Sequence, residues 1–281
     1  QGLTKARAAV IASLIDGRPC TTIDVDDRGL AYGDGVFRTL LMRGGKVPDW
    51  RYQYAKLAHD CAALNLACVK DAAWESDLAA IAGQAPDCVI KLIVTRGKML
   101  RGYAVQPLRP PTRMALAFGL PTYPPANRER GVRVRICELK LSRQPRLAGI
   151  KHLNRLENVL ARMEWDDNEI SEGLLFDTAE ELVGGTMSNV FLLRGGELAT
   201  PDLAGAGVAG VQRARIIEAA ARINVDVRIA RLSRDDVDSA DAILLCNSVF
   251  GIWGVRQLDE RLFAPHPMIS RLRDEFEHAH A

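Results

Sequence analysis

The sequence predicts a mixed α/β protein with two domains. Short segments rich in aliphatic residues, including 89–95 and the partly alternating 132–139, have the length and composition of β-strands. Longer segments, including 49–66 and 211–221, carry apolar residues at helical spacing. Three prolines within 119–126 prevent a helix or a central strand from continuing, so we predict a domain boundary there.

The predicted elements divide at this boundary. A chain of 281 residues is long enough for two modest cores. We expect a small N-terminal α/β domain over 1–118, a linker over 119–126 and a larger domain over 127–281. The predicted strands are 10–14, 36–42, 89–95, 114–118, 132–139, 173–177, 188–193, 225–230, 242–245 and 252–255. The predicted helices are 49–66, 71–82, one beginning near Asn154, 211–221 and 268–278.

Composition excludes several classes of function. A net charge of +2, with no basic block interleaved with aromatic residues, gives no indication of a nucleic-acid partner. No apolar run approaches the ~20 residues needed to span a bilayer, and the N-terminal residues lack the order of a signal peptide. We therefore expect neither a membrane nor a nucleic acid as a partner, and a small molecule as the substrate.

The cysteines favour a reducing cytoplasm. None of the six forms a Cys-x-x-Cys pair or has a neighbouring histidine, so the sequence predicts neither a metal site nor a disulfide framework.

Lys151 is the most informative single residue. It follows the small pair Ala148-Gly149 and precedes an amphipathic helix. The apolar residues of that helix are Leu153, Leu156, Val159, Leu160 and Met163. From these residues alone, a solvated surface amine and an amine held in a pocket both remain open.

The residues around Lys151 favour the pocket. Gly149-Ile-Lys-His-Leu-Asn-Arg-Leu-Glu157 resembles, over nine consecutive residues, the active-site segment of the 4-amino-4-deoxychorismate lyase family. That family is one branch of the fold-type IV pyridoxal-phosphate (PLP) enzymes, which also include branched-chain and D-amino-acid aminotransferases. The resemblance implies two domains with the cofactor in the cleft between them, and Lys151 as the Schiff-base lysine.

Two further motifs are similar to the same family. Asp27-Arg-Gly-Leu-Ala-Tyr-Gly-Asp-Gly-Val-Phe-Arg-Thr39 matches its N-terminal motif, more than a hundred residues before the lysine. Leu100-Arg-Gly-Tyr103 matches a loop whose arginine reaches a substrate carboxylate. The resemblance implies that Thr39 assists proton transfer and that Tyr32, Arg101 and Asn247 bind the substrate.

The remaining cofactor residues follow from general chemistry and from the resemblance. The glycine-rich approach to helix 211–221 is typical of a phosphate site, because a helix N-terminus offers unpaired N–H groups. The family pattern assigns the phosphate to Gly210, Val211 and Gln212, with the Ser248 hydroxyl as a further donor. Lys56 stands where family members usually have an arginine, which is a departure because lysine binds phosphate as a point charge.

Gly184 is the most serious departure from the family pattern. The family motif has a glutamate 33 residues after the lysine, and the carboxylate of this glutamate pairs with the pyridine nitrogen. Three small residues, a serine or alanine and then an asparagine follow the glutamate. Here Leu182-Val-Gly-Gly-Thr-Met-Ser-Asn189 retains Asn189 but has Gly184 at the glutamate position. Glu180 and Glu181 are poor substitutes, since an offset of three or four residues moves a side chain ~10–13 Å along a strand.

The resemblance implies cleavage of 4-amino-4-deoxychorismate to 4-aminobenzoate, a folate precursor, and pyruvate. Three alternatives stay open. The first is an aminotransferase of the same fold, the second is a PLP-binding protein with little catalysis, which Gly184 and Lys56 indicate, and the third is a scaffold that takes no cofactor. The family commonly dimerises, so we also expect a homodimer.

Overall fold

The computed structural model describes residues 9–98, 101–105 and 110–278. It confirms the predicted mixed α/β class. Contacts divide the chain into two compact units. The first runs to Thr122 and also includes Lys151–Asn154, and the second comprises Tyr123–Ile150 and the chain from Arg155. This division differs from the predicted domains chiefly in assigning Lys151 to the first unit.

The first unit is an antiparallel sheet covered by helices. Its five strands have the order β2-β1-β5-β4-β3, so β3 lies at one edge. Helix α2 packs on β3 and α3 on β5, burying Leu57 and Trp74. The elements are β1 Val10–Ile15, β2 Arg18–Pro19, α1 Arg28–Tyr32, β3 Gly35–Met42, α2 Trp50–Ala63, α3 Asp71–Ala82, β4 Cys88–Thr95 and β5 Thr112–Phe118.

The second unit contains a mixed sheet of nine strands within the described residues. Its main path is β11-β10-β9-β12-β13-β6-β7-β8, and β14 pairs with β13. Helices α6 and α8 pack together and contribute Ile216 and Leu272 to a core with Phe191 and Leu244 of the sheet. The elements are α4 Pro125–Glu129, β6 Val132–Leu141, α5 Leu156–Arg162, β7 Ile170–Asp177, β8 Leu182–Gly185, β9 Asn189–Arg194, β10 Glu197–Pro201, α6 Val211–Arg222, β11 Val227–Ala230, α7 Arg234–Asp238, β12 Ala242–Asn247, β13 Gly251–Leu258, β14 Arg261–Leu262 and α8 Pro267–His278.

Helix α5 differs from its expected environment. An apolar helical stripe ordinarily faces a core, but Leu156 is 69% exposed and Met163, just after the helix, is 73% exposed. Val159 and Leu160 are exposed as well, and Ala161 is the buried residue of α5.

No helix in the described ranges is both long enough and apolar enough to cross a bilayer.

Candidate active site

The Lys151 segment extends the sheet of the first unit. Phe37 donates its backbone N–H to the Lys151 carbonyl at 2.9 Å, and Leu153 donates to the Gly35 carbonyl at 2.9 Å. His152 forms a bridge with Val36 between these bonds. The lysine is therefore held by backbone pairing along the outer edge of β3, which fixes its Cα without using its side chain.

Glycines of the first family motif make room for this pairing. Gly33 has φ 63°, and a Cβ there would lie 2.6 Å from the Asn154 amide oxygen. At Gly35 a Cβ would lie 2.4 Å from the Val94 carbonyl oxygen. Asn154 also donates its side-chain amide to the Gly33 carbonyl at 3.2 Å. The two motifs that lie more than a hundred residues apart in the sequence thus pack against each other.

Asp34, between these glycines, anchors the turn. Its carboxylate accepts hydrogen bonds from Arg28 at 2.8 Å and from Arg96 at 2.8 and 2.9 Å. Burial on its own would raise the pKa of Asp34, but the hydrogen bonds from Arg96 and Arg28 outweigh it and hold that pKa below its usual range.

A buried carboxylate on α2 also contacts the lysine segment. Asp60 is 0% exposed, and its Oδ2 accepts the Lys151 backbone N–H at 3.2 Å. Its Oδ1 forms an ion pair with Lys56, one turn earlier on the helix. Burial lowers the pKa of Lys56, while the attraction of Asp60 opposes that change. The side chain predicted to bind phosphate is thus positioned by an acidic neighbour.

Sequence reasoning did not single out Asp60. A lone aspartate in a helix is usually solvated, but this one also attracts the buried Arg38 on β3. Burial lowers the pKa of Arg38 to about 10, and Asp60 acts in the opposite direction. Arg38 in turn donates to the Gln53 amide oxygen at 2.9 Å.

A side chain of β3 lies beside the Lys151 amine. The Lys151 Nζ lies 4.5 Å from the centroid of the Phe37 ring. Thr39 follows on β3 and is half-buried; because side chains alternate along a strand, it lies on the same face as Phe37.

The predicted substrate residues of the first unit gather at one loop. Tyr32 packs on Tyr103 with ring centroids 5.4 Å apart, and its hydroxyl accepts the Gly102 N–H at 3.4 Å. Arg101 is exposed beside them. Leu100 of the loop motif lies outside the described residues.

The predicted phosphate residues of the second unit form a compact turn before α6. Gly210 is the N-cap of α6, and no side chain of the described residues caps the helix N–H groups. Asn189 accepts the Gly210 N–H at 3.2 Å and donates to the Val208 carbonyl at 2.8 Å. A Cβ at Gly210 would lie 2.1 Å from that asparagine oxygen. Asn189 therefore fixes the turn, and only glycine fits beside it.

Helix α6 begins at Val211 and continues with Gln212, and both are buried. Ser248 is half-buried in the turn after β12. Asn247, at the end of β12, accepts the Val249 and Phe250 N–H groups at 2.9 Å each and donates to the Met187 carbonyl at 3.2 Å. Its amide thus has a structural role in this turn.

Gly184 is buried in β8, where it pairs with Leu175 of β7. A Cβ at this position would lie 2.9 Å from the Ser188 carbonyl oxygen. The nearby acids are already occupied: Glu180 pairs with Lys140 at 2.7 Å and Glu181 with Arg143 at 2.8 Å.

Glu172, which sequence reasoning missed, supports the turn after β8. This carboxylate is 1% exposed and accepts hydrogen bonds from Thr186, Met187 and Ser188. Burial raises the pKa of Glu172, and these bonds partly offset the effect. It lies 2.7 Å from where a Cβ of Gly185 would be. Gly184 and Gly185 face opposite sides of β8, because side chains alternate along a strand. Glu172 lies on the side of Gly185 and therefore does not replace a carboxylate at Gly184.

Comparison with known proteins places the chain in a class. The amino-transferase class IV model matches residues 35–258, and the chain belongs to this PLP-dependent family.

Similar proteins within the family include lyases and aminotransferases. The chain is 32% identical to aminodeoxychorismate lyase of Vibrio harveyi over 241 residues, covering 85% of this chain and 88% of that protein. It superposes on 4-amino-4-deoxychorismate lyase from Pseudomonas aeruginosa with a TM-score of 0.91 and 43% identity, over 95% and 98% of the two chains. Branched-chain amino acid aminotransferase of Escherichia coli shares the fold alone, with a TM-score of 0.85 and 19% identity over 97% and 95%.

Proposed function

We propose that the chain is a PLP-dependent lyase that cleaves 4-amino-4-deoxychorismate to 4-aminobenzoate and pyruvate. The observation that carries the proposal is the 43% identity to a lyase of that name over nearly the whole chain. The nine-residue lysine segment supports it, since the aminotransferases share only a looser pattern there.

The residues present fit PLP at the amine and at the phosphate. Lys151 would hold the cofactor through its amine. The uncapped N–H groups of Val211 and Gln212, after the Gly210 turn, would bind the phosphate. Ser248 and Lys56 would add a hydroxyl and a positive charge. When bound, PLP supplies an aldehyde for the substrate amine and a ring that accepts electrons. Gly184 offers no side chain to the ring nitrogen.

The remaining steps are two proton transfers by this chain's own groups and the breaking of the bond between the ring and the enolpyruvyl oxygen, which keeps the electron pair. A neutral Lys151 amine would take the proton from the ring carbon that bears the substrate nitrogen. The same amine would return a proton to the methylene carbon of the departing enolpyruvate, giving pyruvate. The Thr39 hydroxyl would assist the transfer. Tyr32, Arg101 and Asn247 would orient the substrate, the arginine by binding a carboxylate.

The first test replaces the amine. With PLP added, we expect the wild-type protein to release equal amounts of pyruvate and 4-aminobenzoate. Lys151→Ala should lose at least ~10³-fold in rate, equivalent to about 4 kcal/mol of activation free energy. Lys46→Met, which changes an exposed lysine of the same unit, should match the wild type.

The same assay decides between the proposal and its rivals. Transfer of an amino group from an amino acid to a keto acid, without pyruvate release from aminodeoxychorismate, would make the chain an aminotransferase. PLP absorbance without turnover of any amine would indicate that the chain binds PLP and has little catalytic activity.

We further propose a homodimer in the cytoplasm. The exposed apolar residues of α5 and Met163 support the dimer, because a contiguous apolar surface of this kind commonly marks an interface. The scattered cysteine positions support a reducing compartment.

A further inference from the structure

Arg101, which is predicted to bind the substrate, lies on an irregular part of the chain. Residues 101–103 form bends and belong to no helix or strand. Gly102 has φ 106°, a backbone conformation that favours glycine. Arg101 and Tyr103 are exposed. On such a segment the Arg101 side chain can occupy many positions unless other residues fix the backbone that carries it.

A buried arginine at the start of α1 fixes this backbone. Arg28 is 5% exposed. Its Nη1 donates a hydrogen bond to the Gly102 carbonyl at 2.7 Å, and its Nη2 donates more weakly to the Tyr103 carbonyl at 3.5 Å. Its guanidinium also lies 4.8 Å from the centroid of the Tyr32 ring. Apart from the bond between the Gly102 N–H and the Tyr32 hydroxyl, no other hydrogen bond among the described residues holds the backbone of 101–103.

Asp34 fixes the other edge of the Arg28 guanidinium. The Arg28 Nε donates to the Asp34 carboxylate at 2.8 Å. Arginine presents its donors in a rigid planar fork, so one guanidinium can bond a carboxylate on one edge and carbonyl groups on the other. Lysine carries its donors on a single nitrogen and cannot span the same distance. The turn at Asp34 is therefore connected to the 101–103 backbone through the shape of one side chain.

Arg96 is an internal comparison for Arg28. It also donates to the Asp34 carboxylate, at 2.8 and 2.9 Å. Its guanidinium donates in addition to the carbonyls of Leu64 and Asn65 at 2.8 Å each. Both arginines thus connect Asp34 to two backbone carbonyls, and of the two it is Arg28 that bonds the segment beside Arg101.

We propose that Arg28 is a positioning residue that fixes the 101–103 backbone so that Arg101 meets a substrate carboxylate. The inference rests on the proposed function, in which Arg101 binds such a carboxylate. Arg28 acts through the backbone and does not touch the substrate. Its loss therefore weakens substrate binding and leaves the proton transfers of Lys151 in place.

Steady-state kinetics of pyruvate release tests the proposal on the PLP-loaded protein. Arg28→Lys keeps the charge and removes the fork, so we expect KM to rise by at least ~10-fold while kcat stays within about 3-fold of the wild type. Arg96→Lys is the matched control, and its KM should stay within about 3-fold. Arg28→Lys combined with Arg101→Ala should have the KM of Arg101→Ala alone, because a residue that acts through Arg101 has no effect once that side chain is removed.

Trypsin provides a measurement that does not depend on turnover. Cleavage of the PLP-loaded protein after Arg101 should be at least ~10-fold faster in Arg28→Lys than in the wild type, because proteases cut backbone that is free to open. Cleavage at other sites should be unchanged, and Arg96→Lys should be cut after Arg101 at the wild-type rate. Arg28→Gln repeats both measurements if Arg28→Lys does not fold.

Several outcomes would overturn the inference. An unchanged KM of Arg28→Lys is one, and unchanged cleavage after Arg101 is another. Equal rises in KM for Arg28→Lys and Arg96→Lys would assign the effect to the turn at Asp34. Multiplied effects in the double variant would show that Arg28 does not act through Arg101. Absence of pyruvate release by the wild-type protein would instead refute the proposed function, and the trypsin measurement would still decide whether Arg28 fixes the backbone.

Discussion

Gly184 decides how strongly the cofactor is activated in the proposed enzyme. A carboxylate beside the pyridine nitrogen favours its protonation, so its absence weakens the ring as an electron acceptor. We hypothesise that formation of an aromatic product lets elimination proceed with this weaker acceptor, whereas transamination has no such gain.

We therefore expect Gly184→Glu to raise lyase turnover by less than ~10³-fold, or about 4 kcal/mol. The Ser188 carbonyl, a backbone group, must shift to admit the side chain, because a Cβ would lie 2.9 Å from its oxygen. Steady-state kinetics of pyruvate release provides the measurement, and Gly184→Gln is the control of equal size without charge. A gain of ~10³-fold or more, absent from Gly184→Gln, would refute the tolerance hypothesis.

At the same scale, sequence patterns identified the positions that require glycine better than they identified the buried acidic residues with structural roles. Gly33 and Gly210 belonged to recognisable motifs, and both have close neighbours that leave no space for a Cβ. Asp60 and Glu172 carry no local signal, since their role depends on backbone N–H groups from distant segments.

At the scale of elements, β3 and the Lys151 segment form one structural feature from two distant parts of the chain. The sequence predicted the strand and the motif separately. It did not predict their pairing, because no local pattern encodes which segment extends a sheet edge. Strand β8 was missed for a local reason, since Gly184 and Gly185 have little intrinsic preference for a strand. Helix α1 was hidden inside a glycine-rich run, although Asp27 caps it by accepting the Gly29 N–H at 2.8 Å.

The packing of these elements predicts that substitution of two glycines by alanine lowers the free energy of unfolding by different amounts. Gly33 and Gly44 both have positive φ, but only Gly33 has neighbours within 4 Å. Gly44→Ala should lower the free energy of unfolding by about 1 kcal/mol, the cost of a left-handed backbone. Gly33→Ala should cost more than about 2 kcal/mol, because the methyl group also displaces Asn154.

Chemical denaturation measures both variants. Borohydride trapping of PLP on Lys151 should fall in Gly33→Ala and stay unchanged in Gly44→Ala. Equal stability and equal trapping in the two variants would show that Gly33 does not position the lysine segment.

At the scale of the whole molecule, the fold class and the family were predictable because three separate motifs agreed. The exposure of the apolar residues of α5 was not predictable, since an apolar stripe is the same in sequence whether it faces a core or a second chain. We expect the protein to be a dimer that uses this stripe.

Analytical ultracentrifugation tests the dimer. Leu156→Glu combined with Met163→Glu should weaken association by ~100-fold or more, because each buries a charge in an apolar contact. Leu262→Glu is the control, since Leu262 is also 74% exposed but lies on β14. A monomeric wild-type protein, or an unaffected double variant, would contradict the assignment.

The pairing of Lys151–Asn154 with β3 also has a consequence for solubility. An uncovered outer strand attracts strands from other molecules and promotes aggregation. Here the Gly35 carbonyl and the Phe37 N–H form hydrogen bonds with the lysine segment, so this segment covers the outer edge of β3. A fragment ending at Thr122 would retain β1 to β5 and lose this shield. The segment that carries the proposed Schiff-base lysine therefore also helps to keep complete copies of the chain from joining edge to edge.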